Sequence, residues 1–179
     1  MMGKTQRKEQ HNLTQTRTLK LVQGAMLAAL VFVSTYIIRI PSPANGYVNL
    51  GDCFVLISGW LLGPLYGALA GGIGSSLTDL LSGYAHYVPG TFIIKGLMAY
   101  SAAIIYRSFE KNSLSLWFSG LIAECIMVVG YFFYAFLLPG KGIAAAASIP
   151  GNIVQGIVGI VSAVALMQVI KKNNILLKL

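Results

Sequence analysis

Two charges stand where charge is expensive. Lys95 and Glu124 each fall inside a long apolar stretch of the chain, 88–106 and 114–138. A charged side chain within a membrane span is costly and marks a pathway, a pair or a binding site. One chemistry is a buried ion pair that holds helices together. Lys95 would pair with Asp79 or with Glu124, and Asp79, near the end of its own apolar stretch, is the expected partner. The other chemistry is ligand contact, by Lys95 and above all by Glu124. Tyr131 follows Glu124 by seven residues, on nearly the same helical face, so the two would line one wall of a cavity. Asn152 and Gln155, three apart, share a helical face. Side-chain amides donate and accept at once, which suits a heterocycle with ring nitrogens and hydroxyls; hydrogen bonding between helices is the competing use. Tyr84, His86 and Tyr87 can close over a ring by stacking, against an interfacial aromatic belt that would claim the two tyrosines.

No catalytic constellation accompanies these groups. The chain has no Walker A loop, no GxSxG and no HExxH, and it holds only two histidines and five carboxylates. An acid–base active site is hard to assemble from that set. The expectation is a binding protein without chemistry, cofactor or metal of its own. A small integral membrane enzyme built on Glu124, Asp79 or Cys125 is the alternative from another class, and a stand-alone carrier is a third. Uphill transport would need ATP hydrolysed by another chain.

The elements that position these residues are spans. Of 179 residues, 56% are apolar and 10% charged, where a soluble domain carries about 25% charged residues. The apolar residues run in long blocks rather than in alternation, which predicts lipid-facing helices and not a barrel. Spans are expected over 19–38, 50–62, 65–82, 88–106, 114–138 and 148–170, with the third separated from the second at Gly63-Pro64 because a residue before proline avoids helix. The second is short for a bilayer, so neighbouring helices must shield it. Residues 40–46, with two prolines, Asn and Gly, read as a loop with defined turns. Residues 1–18 and 171–179 read as cytoplasmic basic tails around a 19–170 substrate-binding domain.

Charge sets the orientation. Lys4, Arg7, Lys8, Arg17, Lys20, Arg107, Lys111, Lys171, Lys172 and Lys178 fall on one side of a six-span chain, against Arg39 and Lys141 on the other. That bias predicts a multi-pass protein of the cell membrane with both termini inside, and it accounts for the net charge of +8 without nucleic acid. Asp52, Asp79, His86, Asn152 and Gln155 then gather in the outer half. Cys53 and Cys125 read as small buried hydrophobes. The polar first twenty residues do not read as a cleavable signal peptide.

Small residues mark helix contacts. Gly63, Gly67, Gly71 and Ser75, and in parallel Ala68, Gly72 and Ser76, recur every fourth position, which predicts close internal packing. Ala25 and Ala29, near the cytoplasmic end of the first span, share that spacing and can form a smooth patch for another membrane subunit.

The blocks Tyr47-Val-Asn-Leu-Gly-Asp52, Leu62-Gly-Pro-Leu-Tyr-Gly67, 72–83 (GIGSSLTDLLSG) and Pro89-Gly-Thr-Phe-Ile-Ile-Lys-Gly96 resemble the substrate-binding S components of energy-coupling-factor (ECF) transporters. The resemblance covers roughly residues 20–170 and is most specific over 47–96. It is nearest to the subgroup assigned to pyridoxine or hydroxymethylpyrimidine; riboflavin or a thiamine-related compound is the alternative cargo. It implies a six-helix bundle with an outward-facing vitamin site capped by the first loop, where Asn49 joins the site. It implies partners too: a transmembrane coupling subunit, which family members meet through an AxxxA patch that Ala25 and Ala29 match, and two cytoplasmic ATPases.

Overall fold

The computed structural model describes residues 4–42, 46–139 and 142–173. Six helices form the bundle: α1 (Lys4–Ile37), α2 (Gly51–Leu62), α3 (Pro64–Leu81), α4 (Val88–Ser108), α5 (Ser113–Leu137) and α6 (Ile149–Lys172). Gly63 separates α2 from α3 with φ of 89°, a left-handed conformation that glycine adopts without strain. Pro64 follows as the first residue of α3, the helical position where a missing N–H costs nothing. A Cβ at Gly63 would also meet the Arg107 guanidinium, 2.6 Å from Cζ.

Two expectations change at the ends of α1. The helix continues back through the polar segment to Lys4, because no glycine or proline lies between Lys4 and Gly24 to stop it. After α1 the expected loop is instead an antiparallel hairpin, β1 (Arg39–Ser42) with β2 (Gly46–Asn49), in register Arg39 with Asn49 through Ser42 with Gly46. The fold is therefore helical apart from this one hairpin among the described residues. Residues 1–3 and 174–179, which include Lys178, and residue 141 lie outside them.

Among the described residues four stretches are long and apolar enough to cross a membrane: Arg17–Ile37, Ala85–Ser108, Ser113–Leu137 and Gly142–Lys172. The remaining two helices are α2 and α3. α2 has only twelve residues, about 18 Å at 1.5 Å per residue. Ten of them are buried, against α1, α3, α4 and α6, which is the shielding that its length demands.

The packing puts small residues inside and large ones outside. Gly74 of α3 lies where a Cβ would come within 2.8 Å of Val31 on α1, and Gly67 where one would come 2.7 Å from Ser58 O on α2. The glycine ribbon thus seats α3 against its neighbours, as close helix approach in lipid requires. Ala99, Ala102, Ala103, Ala123 and Ala163 fill the centre with Leu56, Met98, Leu116 and Met127. Leu65, Ile73, Leu97, Leu121 and Ile157 point outward, each at least half exposed. Cys53 is buried, but Cys125 lies on the outer face of α5, contrary to the expectation that both are interior.

Basic residues meet at the end of the bundle opposite the hairpin. Lys171 Nζ donates to the Lys111 carbonyl at 2.7 Å, which also accepts from the Tyr106 hydroxyl at 3.3 Å. Asn112 then caps α5 by accepting from Ser115 N–H at 2.9 Å.

Candidate functional site

The chain direction alone brings the polar residues to one end. Asp52 opens α2, Thr91 and Lys95 lie in the first two turns of α4, and Gln155 lies in the second turn of α6. Asp79 and Tyr131 sit in the late turns of α3 and α5, which run the opposite way. All therefore approach the hairpin end.

Asp52 is the hub. It is fully buried, and its Oδ1 forms an ion pair with Lys95 Nζ, itself 4% exposed. Its Oδ2 accepts from Gln155 Nε2 at 2.7 Å. Gln155 Oε1 in turn accepts from the side-chain and backbone N–H groups of Asn49, at 3.0 and 3.3 Å. Asn49 Oδ1 accepts from Gly51 N–H at 2.8 Å. A buried ion pair persists only when its remaining lone pairs and protons are satisfied, and this chain of amides supplies the partners on the Asp52 side.

The expected pairing of Lys95 with Asp79 is corrected. Lys95 reaches across to α2, and Asp79 instead accepts from the Thr91 hydroxyl one turn earlier on α4. Thr91 Oγ1 accepts from the Tyr131 hydroxyl at 3.1 Å, and the Tyr131 ring centre lies 5.4 Å from Lys95 Nζ. Lys95 is therefore flanked by a carboxylate and an aromatic face. Asp52 and Thr91 are the residues that sequence reasoning left out of the site. Asp52 had a signal: it is the acidic residue immediately before the uncharged 53–78 stretch.

Glu124 enters from α5 and is 5% exposed, with neither carboxylate oxygen hydrogen-bonded. It lies against a glycine notch on α6. A Cβ at Gly156 would sit 3.1 Å from Oε2, and one at Gly159 would sit 3.0 Å from Oε1 and 2.7 Å from Asp52 Cβ. Gly159 is thus pinched between the two carboxyl side chains. On its other side Glu124 borders an apolar cleft of about 280 Å³ between α5 and α6, lined by Leu121, Val128, Ile153, Ile157 and Ile160; Leu121, Ile153 and Ile157 on its rim are exposed.

The remaining candidates lie apart. Asn152 is partly exposed on the first turn of α6. His86 is exposed, its ring 4.8 Å from Tyr87 and 6.4 Å from Tyr84. Tyr87 packs on Tyr134 at 5.7 Å, and the Tyr134 hydroxyl donates to His86 O at 2.7 Å. These rings form an aromatic cap over the α3–α4 turn rather than part of the buried cluster. Ala25 and Ala29 are exposed on α1. No group of three metal-ligating residues occurs among the described residues.

Residues 15–172 match the family described as ECF-type riboflavin transporter, S component. The chain is 36% identical over 147 residues, 80% of its length and 95% of the relative's, to an uncharacterized protein in the gap 3′ region of Pyrococcus woesei. It is 33% identical over 159 residues, 88% of its length and 90% of the relative's, to the thiamine precursor transporter HmpT of Lactococcus lactis subsp. cremoris (strain MG1363). The fold is similar to a solved S component of a bacterial ECF transporter, with TM-score 0.71 and 24% identity over 89% of this chain and 98% of that one. It is also similar to FolT bound with folic acid, with TM-score 0.66 and 15% identity over 82% and 90% of the two chains.

Proposed function

The chain belongs to the ECF-type transporter S-component family, a transport protein of the membrane and not an enzyme, and on that premise we propose that it captures hydroxymethylpyrimidine, a thiamine precursor, from outside the cell. The observation that carries this reading is the buried Asn49–Gln155–Asp52–Lys95 chain at the hairpin end. Such a set can exchange its internal bonds for those of a small polar ring, because amides, a carboxylate and an ammonium offer both donors and acceptors. Asn49 ends β2, so the hairpin would move with the ligand and close the site from above. The 33% identical thiamine precursor transporter supports the choice of cargo.

Pyridoxine, a ring of similar size with hydroxyl groups, needs the same donors and acceptors. Riboflavin is a second reading, favoured by the description of the matching family.

The orientation that fits is amino and carboxyl termini inside. Arg107, Lys111, Lys171 and Lys172 cluster at the end opposite the site, and cytoplasmic flanks carry the excess of Lys and Arg. Transport then proceeds in a complex with a transmembrane coupling subunit, docked on Ala25 and Ala29, and two ATPases that hydrolyse ATP. The chain itself needs no cofactor.

Calorimetry on the purified protein in detergent tests the cargo. Saturable binding of hydroxymethylpyrimidine without turnover is expected. Silence toward hydroxymethylpyrimidine, whether or not pyridoxine or riboflavin binds, would overturn the reading.

A further inference from the structure

Glu124 is the one described buried carboxylate that nothing in the chain satisfies. Asp52 has Lys95 and Gln155, and Asp79 has Thr91; both oxygens of Glu124 lack a partner. A carboxyl group left unpaired out of water is destabilising by more than a lost hydrogen bond. Its site is nonetheless built for it. Gly156 and Gly159 leave room on α6 for its oxygens, and a Cβ at either position would crowd them. The structure thus keeps space for a costly group and withholds its partners.

The missing partner must arrive from the cluster side. The cleft behind Glu124 has apolar walls and an exposed apolar rim, which offer no donors. Toward the bundle interior stand Asp52 and Lys95, beside the hydrogen-bond chain assigned above to the cargo.

Resting on that assignment, we infer that Glu124 reads the amine edge of an aminopyrimidine. The exocyclic N–H would donate to one carboxyl oxygen. The adjacent ring nitrogen would meet the other oxygen through a single shared proton, whichever atom carries it. Two parallel bonds of this kind fix a planar ring by geometry as well as by strength. A ring nitrogen with only a C–H beside it, as in the analogue lacking the amine, pairs one oxygen and leaves the other unpaired. Glu124 is therefore a specificity-determining residue that separates an aminopyrimidine from the same ring without its amine. A site that hydrogen-bonds a polar group rejects analogues lacking that group strongly, since its own buried group is left stranded.

The test crosses ligand with residue. Hydroxymethylpyrimidine and its analogue lacking the 4-amino group are titrated into the wild type, Glu124→Leu and Glu124→Gln. The wild type should prefer the amine by about 100-fold. Glu124→Leu should bind the two within about threefold, because it has no edge to read. Glu124→Gln should keep the preference, since its amide offers one donor and one acceptor to the same edge, and this variant answers the question even if the leucine variant does not fold. An undiminished preference in Glu124→Leu, or loss of the preference in a folded Glu124→Gln, would overturn the role. Tight binding of both pyrimidines alike by the wild type would sink the Glu124 inference alone. Binding of riboflavin but of neither pyrimidine would remove the cargo assignment and this inference with it.

Discussion

Asp52 and Lys95 form an ion pair across forty-three residues of sequence, joining the first turn of α2 to the second turn of α4. Neither side chain has appreciable access to solvent. Removing one partner of such a pair leaves an uncompensated charge in low dielectric, whereas removing both does not. Lys95→Met should therefore destabilise the protein by about 3–5 kcal/mol. Asp52→Asn combined with Lys95→Met should recover most of that loss. Thermal melts in detergent check both, and a double variant as unstable as the single one would refute the pairing.

Asn49→Ala removes a donor to Gln155 and the acceptor for Gly51 N–H. The loss of each is worth about 1–3 kcal/mol when the abandoned partner is buried. Because Asn49 lies at the end of the hairpin, the expected effect is a cargo dissociation rate about tenfold faster, measured by stopped-flow displacement. An unchanged rate would mean that the hairpin is not held to α6 in the loaded state.

Close helix approach sets a third expectation. Gly74→Leu would drive a side chain into Val31 of α1, and overpacking of this kind costs about 1–3 kcal/mol. Fluorescence-detected chromatography should show reduced monodisperse protein. Leu77→Ala, on the exposed face of the same helix, should leave the profile unaltered.

Ala25→Trp and Ala29→Trp alter an exposed face of α1 far from the buried cluster. Each should block co-purification with the coupling subunit and the ATPases while calorimetric binding of the cargo stays intact. Normal assembly by both variants would remove α1 from the interface.

The sequence makes the six helices legible because composition and interruption coincide. Long uncharged blocks mark them, and Gly63-Pro64 ends α2 where the structure ends it. Glu124, Lys95, Tyr131 and Gln155 were legible as polar residues in places that repel them. Their partners were not. Lys95 can reach either Asp52 or Asp79 as far as position along a span is concerned, and the choice depends on the rotation of α2 against α4, which no periodicity in twelve nearly all-buried residues reveals. The hairpin was hidden by Pro41 and Pro43, which read as loop. Yet Pro41 tolerates a two-stranded ribbon, because such a ribbon is all edge. His86 is legible for its chemistry alone, and the 85–87 turn places it on the exposed surface among Tyr84 and Tyr87.

The burial of α2 has a consequence for biosynthesis. A nascent helix leaves the insertion machinery for the lipid by virtue of its own apolar surface, and acidic or hydroxylic residues count heavily against that exit. With twelve residues, Asp52 and Ser58 among them, and almost no outward face, α2 has little to offer the lipid. It would depend on α3, α4 and α6, all made after it, for its enclosure, so a segment synthesised early would be among the last to settle.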